Sequence, residues 1–300
     1  MPAFLTGLIA SLLLILNTLI WAPLLIGLAL LKLLLPIPVV RTTLSWLVDG
    51  CASRWIACNS GWMKLTQAMD WQIERPDKLT PQGWYFVVSN HQSWVDILVL
   101  QHCLNGHIPL LKFFLKQELI WVPIMGIAWW ALDFPFMKRY SKAYLARHPE
   151  KRGQDLNTTR KSCEKFQRKP TSVMNFLEGT RFNQEKHALQ RPSYRHLLQP
   201  RAGGMAFAMS VMGDNFHSLV DVTIHYPDGV PTFWSFLSGK MRRCQVLIQQ
   251  KDIPAELSQG DYQNDIDFRN RFQQWVHELW LDKDDTLERL SRSASTSQAE

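Results

Sequence analysis

The first 31 residues carry no charged side chain at all. Other shortages are as informative. The five cysteines (Cys51, Cys58, Cys103, Cys163, Cys244) are odd in number, scattered, and never spaced C-x-x-C. That pattern excludes a disulfide framework and a zinc site, and fits small apolar residues in a reducing compartment. There is no G-x-S-x-G elbow and no internal repeat. Only 15 glycines and 16 prolines are dispersed over 300 residues, which excludes a collagen-like or low-complexity chain. Hydrophobic residues make up 46% and charged residues 20%, with a mean hydropathy of −0.13. That balance argues against both disorder and a multi-pass transporter, and the length suffices to bury a core without staples.

The uncharged start is also apolar. Read as helix from Phe4 to Leu35, it would be about 48 Å long at roughly 1.5 Å per residue, against a hydrocarbon core ~30 Å thick. It can form one tilted span, or a helical pair broken near Asn17 to Pro23 that dips into one leaflet as a hairpin. A cleaved signal peptide lacks its positive n-region here, and a buried core helix does not stay apolar on every face for so long. The first cations after the run are Lys32, Arg41, Arg54 and Lys64, which places the remainder on the cytoplasmic side. A bacterial inner membrane is the expected location.

Pro36 and Pro38 end the first helix. Residues 41–70 read as helical, with Trp46, Trp55 and Trp62 suited either to a membrane interface or to a core. Strands are then expected at Trp84–Ser89, Leu132–Met137, Ser172–Leu177, Leu219–His225 and Cys244–Gln249. Helices are expected at Ser93–Leu104, 139–150, 154–168, Ala202–Met212 and 263–281. Alternation of this kind implies one α/β domain. The division is an anchor over 1–36, a catalytic domain over 37–285, and a disordered tail over 286–300.

Charge is concentrated. Residues 138–170 hold eleven Lys/Arg against three Asp/Glu, a net +8, while the whole chain is +7. So local a basic patch implies an anionic partner: lipid headgroups, an acidic carrier protein or the phosphates of a nucleotide thioester. Nucleic acid fits poorly, because few aromatics interleave these cations and no binding module appears.

Asn90-His91-Gln92-Ser93-Trp94-Val95-Asp96 is the sharpest chemical feature. His91 falls where a buried strand ends, and Asp96 in the first helical turn. Five positions apart on one helix, their side chains would diverge by some 140°. They meet only if His91 lies in the loop and folds back. Asp96 could then hold one imidazole nitrogen while the other serves as a general base. The competing reading is a capping box, Ser93-x-x-Asp96, with His91 a bystander. Phe176-Leu177-Glu178-Gly179-Thr180-Arg181 follows a second buried strand and offers turn N–H groups beside a guanidinium for an anion, or is a surface turn. Lys116 to Gly126, with Trp129, Trp130 and Lys138-Arg139, sets an apolar surface next to cations, as an amphiphile requires, or is core.

Together these pieces resemble the 1-acylglycerol-3-phosphate acyltransferases, which convert lysophosphatidic acid to phosphatidic acid. The resemblance spans roughly residues 85–225, with motif order and spacing intact. It implies a glycerolphosphate-acyltransferase-like α/β domain with an N-terminal membrane helix or helix hairpin. It implies His91 as base on the sn-2 hydroxyl, oriented by Asp96. Glycerol phosphate would be bound by Lys116, Pro123, Gly126 and Arg139 of one block and by Glu178, Gly179, Thr180 and Arg181 of another. Departures are Leu177 where proline is common, Val220-Asp221-Val222-Thr223-Ile224 for a V-P-V-type block, and Asp133 for a glycine. The first two lean toward the branch that includes lysocardiolipin acyltransferases.

On this reading the acceptor oxygen attacks an acyl thioester directly. The co-substrate is acyl-CoA or acyl carrier protein, with no metal and no other cofactor. Partners are a lysophospholipid, the thioester and anionic membrane lipids. The alternatives are remodelling of another lysophospholipid, a non-catalytic lipid-binding regulator, and a thioester hydrolase in which water replaces the acceptor.

Overall fold

A strand covered on both faces must be apolar at nearly every position, and YFVVS meets that demand. In a computed structural model, which describes residues 1–123, 125–134, 136–137, 147 and 169–296, this segment forms β2 (Tyr85–Ser89), buried throughout. It lies inside a six-stranded sheet with β1 (Asp70–Glu74), β3 (Leu111–Phe113), β6 (Ser172–Phe176), β7 (Ser218–His225) and β8 (Arg243–Lys251), in the order β1-β8-β7-β2-β6-β3. The four strands β7, β2, β6 and β3 run parallel, whereas β8 is antiparallel to β7 and carries β1 in parallel beyond it. A separate parallel pair joins β4 (Leu115–Lys116) to β5 (Phe136–Met137).

Alternation along β2 divides the core. Tyr85 and Val87 point to the side of α3 (Val95–Leu104), packing with Val99, Leu100 and Trp62. Phe86 and Val88 point to the opposite side, with Met205 and Met209 of α6 (Ala202–Met212) and Phe272 and Trp280 of α9 (Ile266–Thr296). The result is three layers, helix on sheet on helix. Ser89 pairs with Phe176 on one side and Val222 on the other. The carboxyl ends of β2, β6 and β7 are thus level, and the loops leaving them are neighbours.

The N-terminal run is α1 (Ala3–Leu34), one continuous helix that holds Pro23 in its interior. The break expected near Asn17 to Pro23 does not occur. Asn17 is buried, and its Nδ2 donates to the Trp55 carbonyl at 3.1 Å and to Asn59 Oδ1 at 2.7 Å. The hairpin partner is instead α2 (Pro38–Thr66), with Pro38 at its first turn, where the missing N–H costs nothing. The buried stripe of α1 is mostly small, with Thr6, Gly7, Ala10, Asn17, Ala22 and Ala29 beside one large residue, Leu25. A Cβ on Gly7 would lie 2.7 Å from the Trp234 ring of α7 (Phe233–Leu237), so glycine is what lets this helix seat there. At its other end Lys32 pairs with Asp133, which follows α4 (Met125–Ala131). Leu12, Ile15, Leu16, Leu19 and Ile20 face outward. Its most apolar 18-residue window has a mean hydropathy of 2.3 and is 22% buried, so length and composition make α1 a candidate membrane helix.

The tryptophans of α2 divide between the two expected roles. Trp62 is core, with Nε1 bonded to Asn59 Oδ1 at 2.9 Å, whereas Trp46 is 53% exposed beneath the ammonium of Lys169. Several elements differ from expectation. The strand read at Leu132–Met137 shrinks to Phe136–Met137, because Asp133 turns the chain with φ +58°. The short helix α5 (Gln184–Gln190) and the three-residue β3 offer too few positions to show a period, and β1, which does alternate polar and apolar, begins at the end of the stretch read as helix over 41–70. The last helix continues to Thr296, past the expected tail boundary at 286. Its apolar stripe does not stop but passes through Lys283, which reads as a solvated residue and is in fact fully buried. The basic helices expected at 139–150 and 154–168 lie outside the described residues, apart from Arg147.

Lys283 explains how α9 is registered on the sheet. Its ammonium donates to the Val222 carbonyl at 2.7 Å and pairs with the buried carboxylate of Asp221, while Lys251 stands 3.1 Å from the other Asp221 oxygen. Burial pulls the Lys283 pKa down and Asp221 pushes it back. Removing Lys283 leaves the buried Asp221 with the partly exposed Lys251 as its one remaining cation among the described residues. Lys283→Met should therefore cost on the order of 3 kcal/mol in unfolding free energy measured by denaturant titration, and the double variant Asp221→Asn/Lys283→Met should recover most of it.

Candidate active site

The chain leaves β2 through Asn90, whose side chain is bonded on both sides to the Ile224 backbone of β7, donating at 2.8 Å and accepting at 2.9 Å. That clamp fixes where the next residue starts. His91, Gln92 and Ser93 form an irregular loop, and α3 opens at Val95 rather than at Ser93. His91 therefore folds back over the helix start, and its Nδ1 lies 2.8 Å from Asp96 Oδ2. The same oxygen accepts the backbone N–H groups of Gln92 at 2.6 Å and Ser93 at 2.8 Å. Part of the capping box thus exists alongside the His–Asp contact: Asp96 reaches back to Ser93 N–H, while Ser93 Oγ accepts the Val95 N–H at 3.2 Å, rather than that of Asp96, and donates to the Pro231 carbonyl at 2.6 Å.

The remaining oxygen, Asp96 Oδ1, accepts the hydroxyl of Tyr226 at 2.7 Å. The imidazole of His91 stacks on Phe176 at 3.9 Å between ring centroids and 14° between planes. Phe176 stacks in turn on Phe113, and Phe113 on Phe134, each at 6.2 Å. One face of the His91 ring is thereby fixed by an aromatic column that reaches the end of α4. Nε2 makes no hydrogen bond to the described residues, and the side chain keeps 12% of its surface exposed. A ring held at Nδ1 and open at Nε2 is the geometry of a general base or acid.

The loop after β6 completes the site. Glu178 is 1% exposed, and its two oxygens accept the N–H groups of His91 at 2.9 Å and Leu198 at 3.0 Å. This corrects the glycerol-phosphate role implied for Glu178, because its carboxylate faces inward and braces the backbone of His91. Burial pushes its pKa up to about 7, and the two N–H groups act against that rise. Gly179 turns with φ +67°, a conformation that favours glycine. Arg201 packs over that turn, its Cδ 3.2 Å from where a Cβ of residue 179 would lie. Thr180 Oγ1 accepts from Lys186 Nζ at 2.8 Å. The guanidinium of Arg181 stands 4.7 Å from the ring centroid of Trp94, in the loop that carries His91.

Of the residues singled out by sequence, His91, Asp96, Glu178, Gly179, Thr180 and Arg181 come together at the level ends of β2 and β6. Lys116 sits in β4, paired with Met137 of β5. Gly126 opens α4 so close to the preceding turn that a Cβ would meet the Ile120 carbonyl oxygen at 2.1 Å. Arg139 lies outside the described residues. Tyr226, Arg201 and Lys186 escaped the sequence reading. Tyr226 meets Asp96 across 130 positions of chain, and no local pattern announces such a contact.

An α/β domain with a His–Asp pair beyond the carboxyl ends of parallel strands belongs to the class that keeps its chemistry at that edge. Within that class the chain is a member of the Acyltransferase family, whose model matches residues 70–226. It is 28% identical over 220 residues to 1-acyl-sn-glycerol-3-phosphate acyltransferase delta of Mus musculus, an alignment covering 69% of this chain and 53% of that protein. It is 27% identical over 221 residues to 1-acyl-sn-glycerol-3-phosphate acyltransferase 3 of Arabidopsis thaliana, covering 68% and 52%. Lysocardiolipin acyltransferase 1 of Danio rerio is 25% identical over 260 residues, covering 82% and 62%. The chain therefore spans about half to three-fifths of the length of these relatives. The crystal structure of the 1-acyl-sn-glycerophosphate acyltransferase PlsC from Thermotoga maritima aligns over 98% of each chain at 17% identity, with a TM-score of 0.49.

The raised pKa of Glu178 has a signed consequence. A folded-state value of about 7 lies above the ordinary carboxyl value of 4.5, so between those limits the folded chain holds a proton that the unfolded chain has released. Stability should fall as pH rises across that window, by on the order of 3 kcal/mol, and be level above it. Thermal unfolding from pH 4 to 8 should show this slope in the native chain and its loss in Glu178→Gln.

Proposed function

We propose that this chain is a membrane-docked acyltransferase that moves a fatty acyl group from an acyl thioester to the sn-2 hydroxyl of lysophosphatidic acid, giving phosphatidic acid. The observation that carries this reading is the 2.8 Å contact of His91 Nδ1 with Asp96 while Nε2 stays open. No serine of a nucleophile elbow accompanies the pair, and Cys103 is buried with its thiol pKa pushed up to about 12, chiefly by burial. The attacking oxygen therefore comes from the acceptor.

In this mechanism Asp96 keeps the Nδ1 proton in place, so Nε2 carries the lone pair. The acceptor hydroxyl gives its proton to Nε2 as its oxygen bonds to the thioester carbonyl carbon. The tetrahedral intermediate then collapses, the carbon–sulfur bond breaks, and His91 returns the proton to the departing thiolate. The imidazolium formed in between is stabilised by the Asp96 carboxylate. No cofactor beyond the acyl donor is needed, whether that donor is acyl-CoA or acyl carrier protein.

Arg201 packs over the Gly179 turn, Lys186 bonds Thr180, and the Arg181 guanidinium stands over Trp94 in the loop that carries His91, and guanidinium and ammonium groups suit a phosphate monoester. We assign the acceptor phosphate to that turn, with Lys116 and Arg139 as its expected further ligands. The exposed leucine face of α1 supports insertion into the bilayer, and Lys32, Arg41, Arg54 and Lys64 favour a catalytic domain on the cytoplasmic face. A second reading, acylation of another lysophospholipid, is favoured by Leu177, Asp221 and the likeness to a lysocardiolipin acyltransferase.

A panel of lysophospholipid acceptors against both donor types separates these readings by product. His91→Ala should abolish transfer in every arm while the protein still folds and binds membrane, and substantial turnover by that variant would end the dyad assignment. Arg181→Ala and Arg201→Ala should each raise KM for a phosphomonoester acceptor roughly tenfold, consistent with a charge-assisted bond lost, with little change in KM for the acyl donor.

A further inference from the structure

We infer that Tyr226 is a positioning residue of the dyad, acting through Asp96 to set the basicity and orientation of His91. The inference rests on His91 serving as the base. Asp96 is 1% exposed, so each carboxylate oxygen needs donors from the protein. Three bonds converge on Oδ2, from His91 Nδ1, Gln92 N–H and Ser93 N–H. Among the described residues, the one donor directed at Oδ1 is the Tyr226 hydroxyl at 2.7 Å. Tyr226 is itself buried and follows directly on β7, whose Ile224 is clamped to Asn90 on the other side of His91. The same strand end thus holds the residue before the base and the carboxylate behind it.

The physical effect has a sign. A hydroxyl bonded to Oδ1 draws charge from the carboxylate and makes it a weaker partner for an imidazolium. Without that bond Asp96 becomes a stronger partner for the imidazolium, and the acidic limb of the pH–rate profile moves upward. The carboxylate also loses the contact that prevents rotation about its last bond, so Nδ1 is held less firmly. The other ionisable groups facing the pair are Glu178 from the turn after β6, Cys103 of α3 and Cys244 of β8, and Lys283 of α9 faces Glu178. All four remain when the hydroxyl is removed. Burial, seconded by Asp96, pushes the Tyr226 pKa well up, so the phenol remains a donor throughout the working range.

The test is the full pH–rate profile of Tyr226→Phe, which keeps the ring and deletes one oxygen. Expected is a fall in kcat of about tenfold with KM for both substrates within twofold. The acidic limb should move upward by about half a unit to one unit. A profile superimposable on that of the native chain, with any loss of turnover matched by loss of folded protein, would overturn the inference. Incorporation of 3-fluorotyrosine at 226 gives a second measurement that does not depend on the phenylalanine variant folding. A more acidic phenol bonds Asp96 more strongly and should shift the same limb downward, whereas no shift or an upward one overturns the inference. His91→Ala separates the two levels. If it retains turnover the dyad reading fails, and if it is inactive while both Tyr226 probes leave the limb in place, only this inference fails.

Discussion

Asp96 is a carboxylate with almost no access to water, placed at the end of a sheet whose strands are apolar, and the site is organised by the need to satisfy it. Four donors meet its two oxygens, three from the loop after β2 and one from just past the end of β7, while Asp96 itself stands at the start of α3. No one of these elements could fix the carboxylate alone. Because each bond to a charged acceptor is strong and each unmet lone pair is costly, the three elements are locked to one another by a single side chain. The His91 ring takes its direction from that lock and its plane from Phe176.

The same rule operates twice more at increasing distance from the base. Glu178 is buried behind His91 and is answered by two backbone N–H groups, one of them His91's own. Asp221, in the middle of β7, is answered by Lys283 and Lys251, and that exchange carries the C-terminal helix onto the sheet. Buried charge is a poor source of net stability, but it penalises any arrangement that leaves a partner unmet. Three such residues in neighbouring loops and strands therefore define one register for β2, β6, β7 and α9.

The N-terminal hairpin follows a different logic. Along α1 the side chains that face the domain are mostly small, Leu25 apart, and many large apolar ones face away, which is not what a water-soluble surface helix needs. Close packing through Gly7 and the Asn17–Asn59 bond holds α1 along the domain instead of leaving it a loose tether. Asp133 belongs to this arrangement. It occupies a left-handed turn of the kind glycine fills most easily, and its carboxylate is drawn to Lys32 at the far end of α1. This departure from the family's glycine thereby ties the hairpin to the segment following α4.

The elements that bury a continuous apolar pattern were legible in the chain: β2, β6, β7, α3, α6, most of α9 and the long apolar α1 all follow from local hydrophobicity and its period. His91 and Asp96 were legible as a pair because both lie in one seven-residue stretch. What local pattern could not decide is everything that depends on long-range pairing. It gave no sign that Glu178, a substrate ligand by the family resemblance, faces inward, because the N–H groups that turn it belong to residues 87 positions back and 20 ahead. It ended the last helix early, because a lysine reads as solvated until a buried aspartate 62 positions away is set beside it. It gave no sign of Tyr226 or Arg201, whose positions follow from the level ends of adjacent strands. The sequence by itself determined which residues could be buried and which carried chemistry. The tertiary structure decided which charges answer one another, since a buried charge selects its partner by proximity in space.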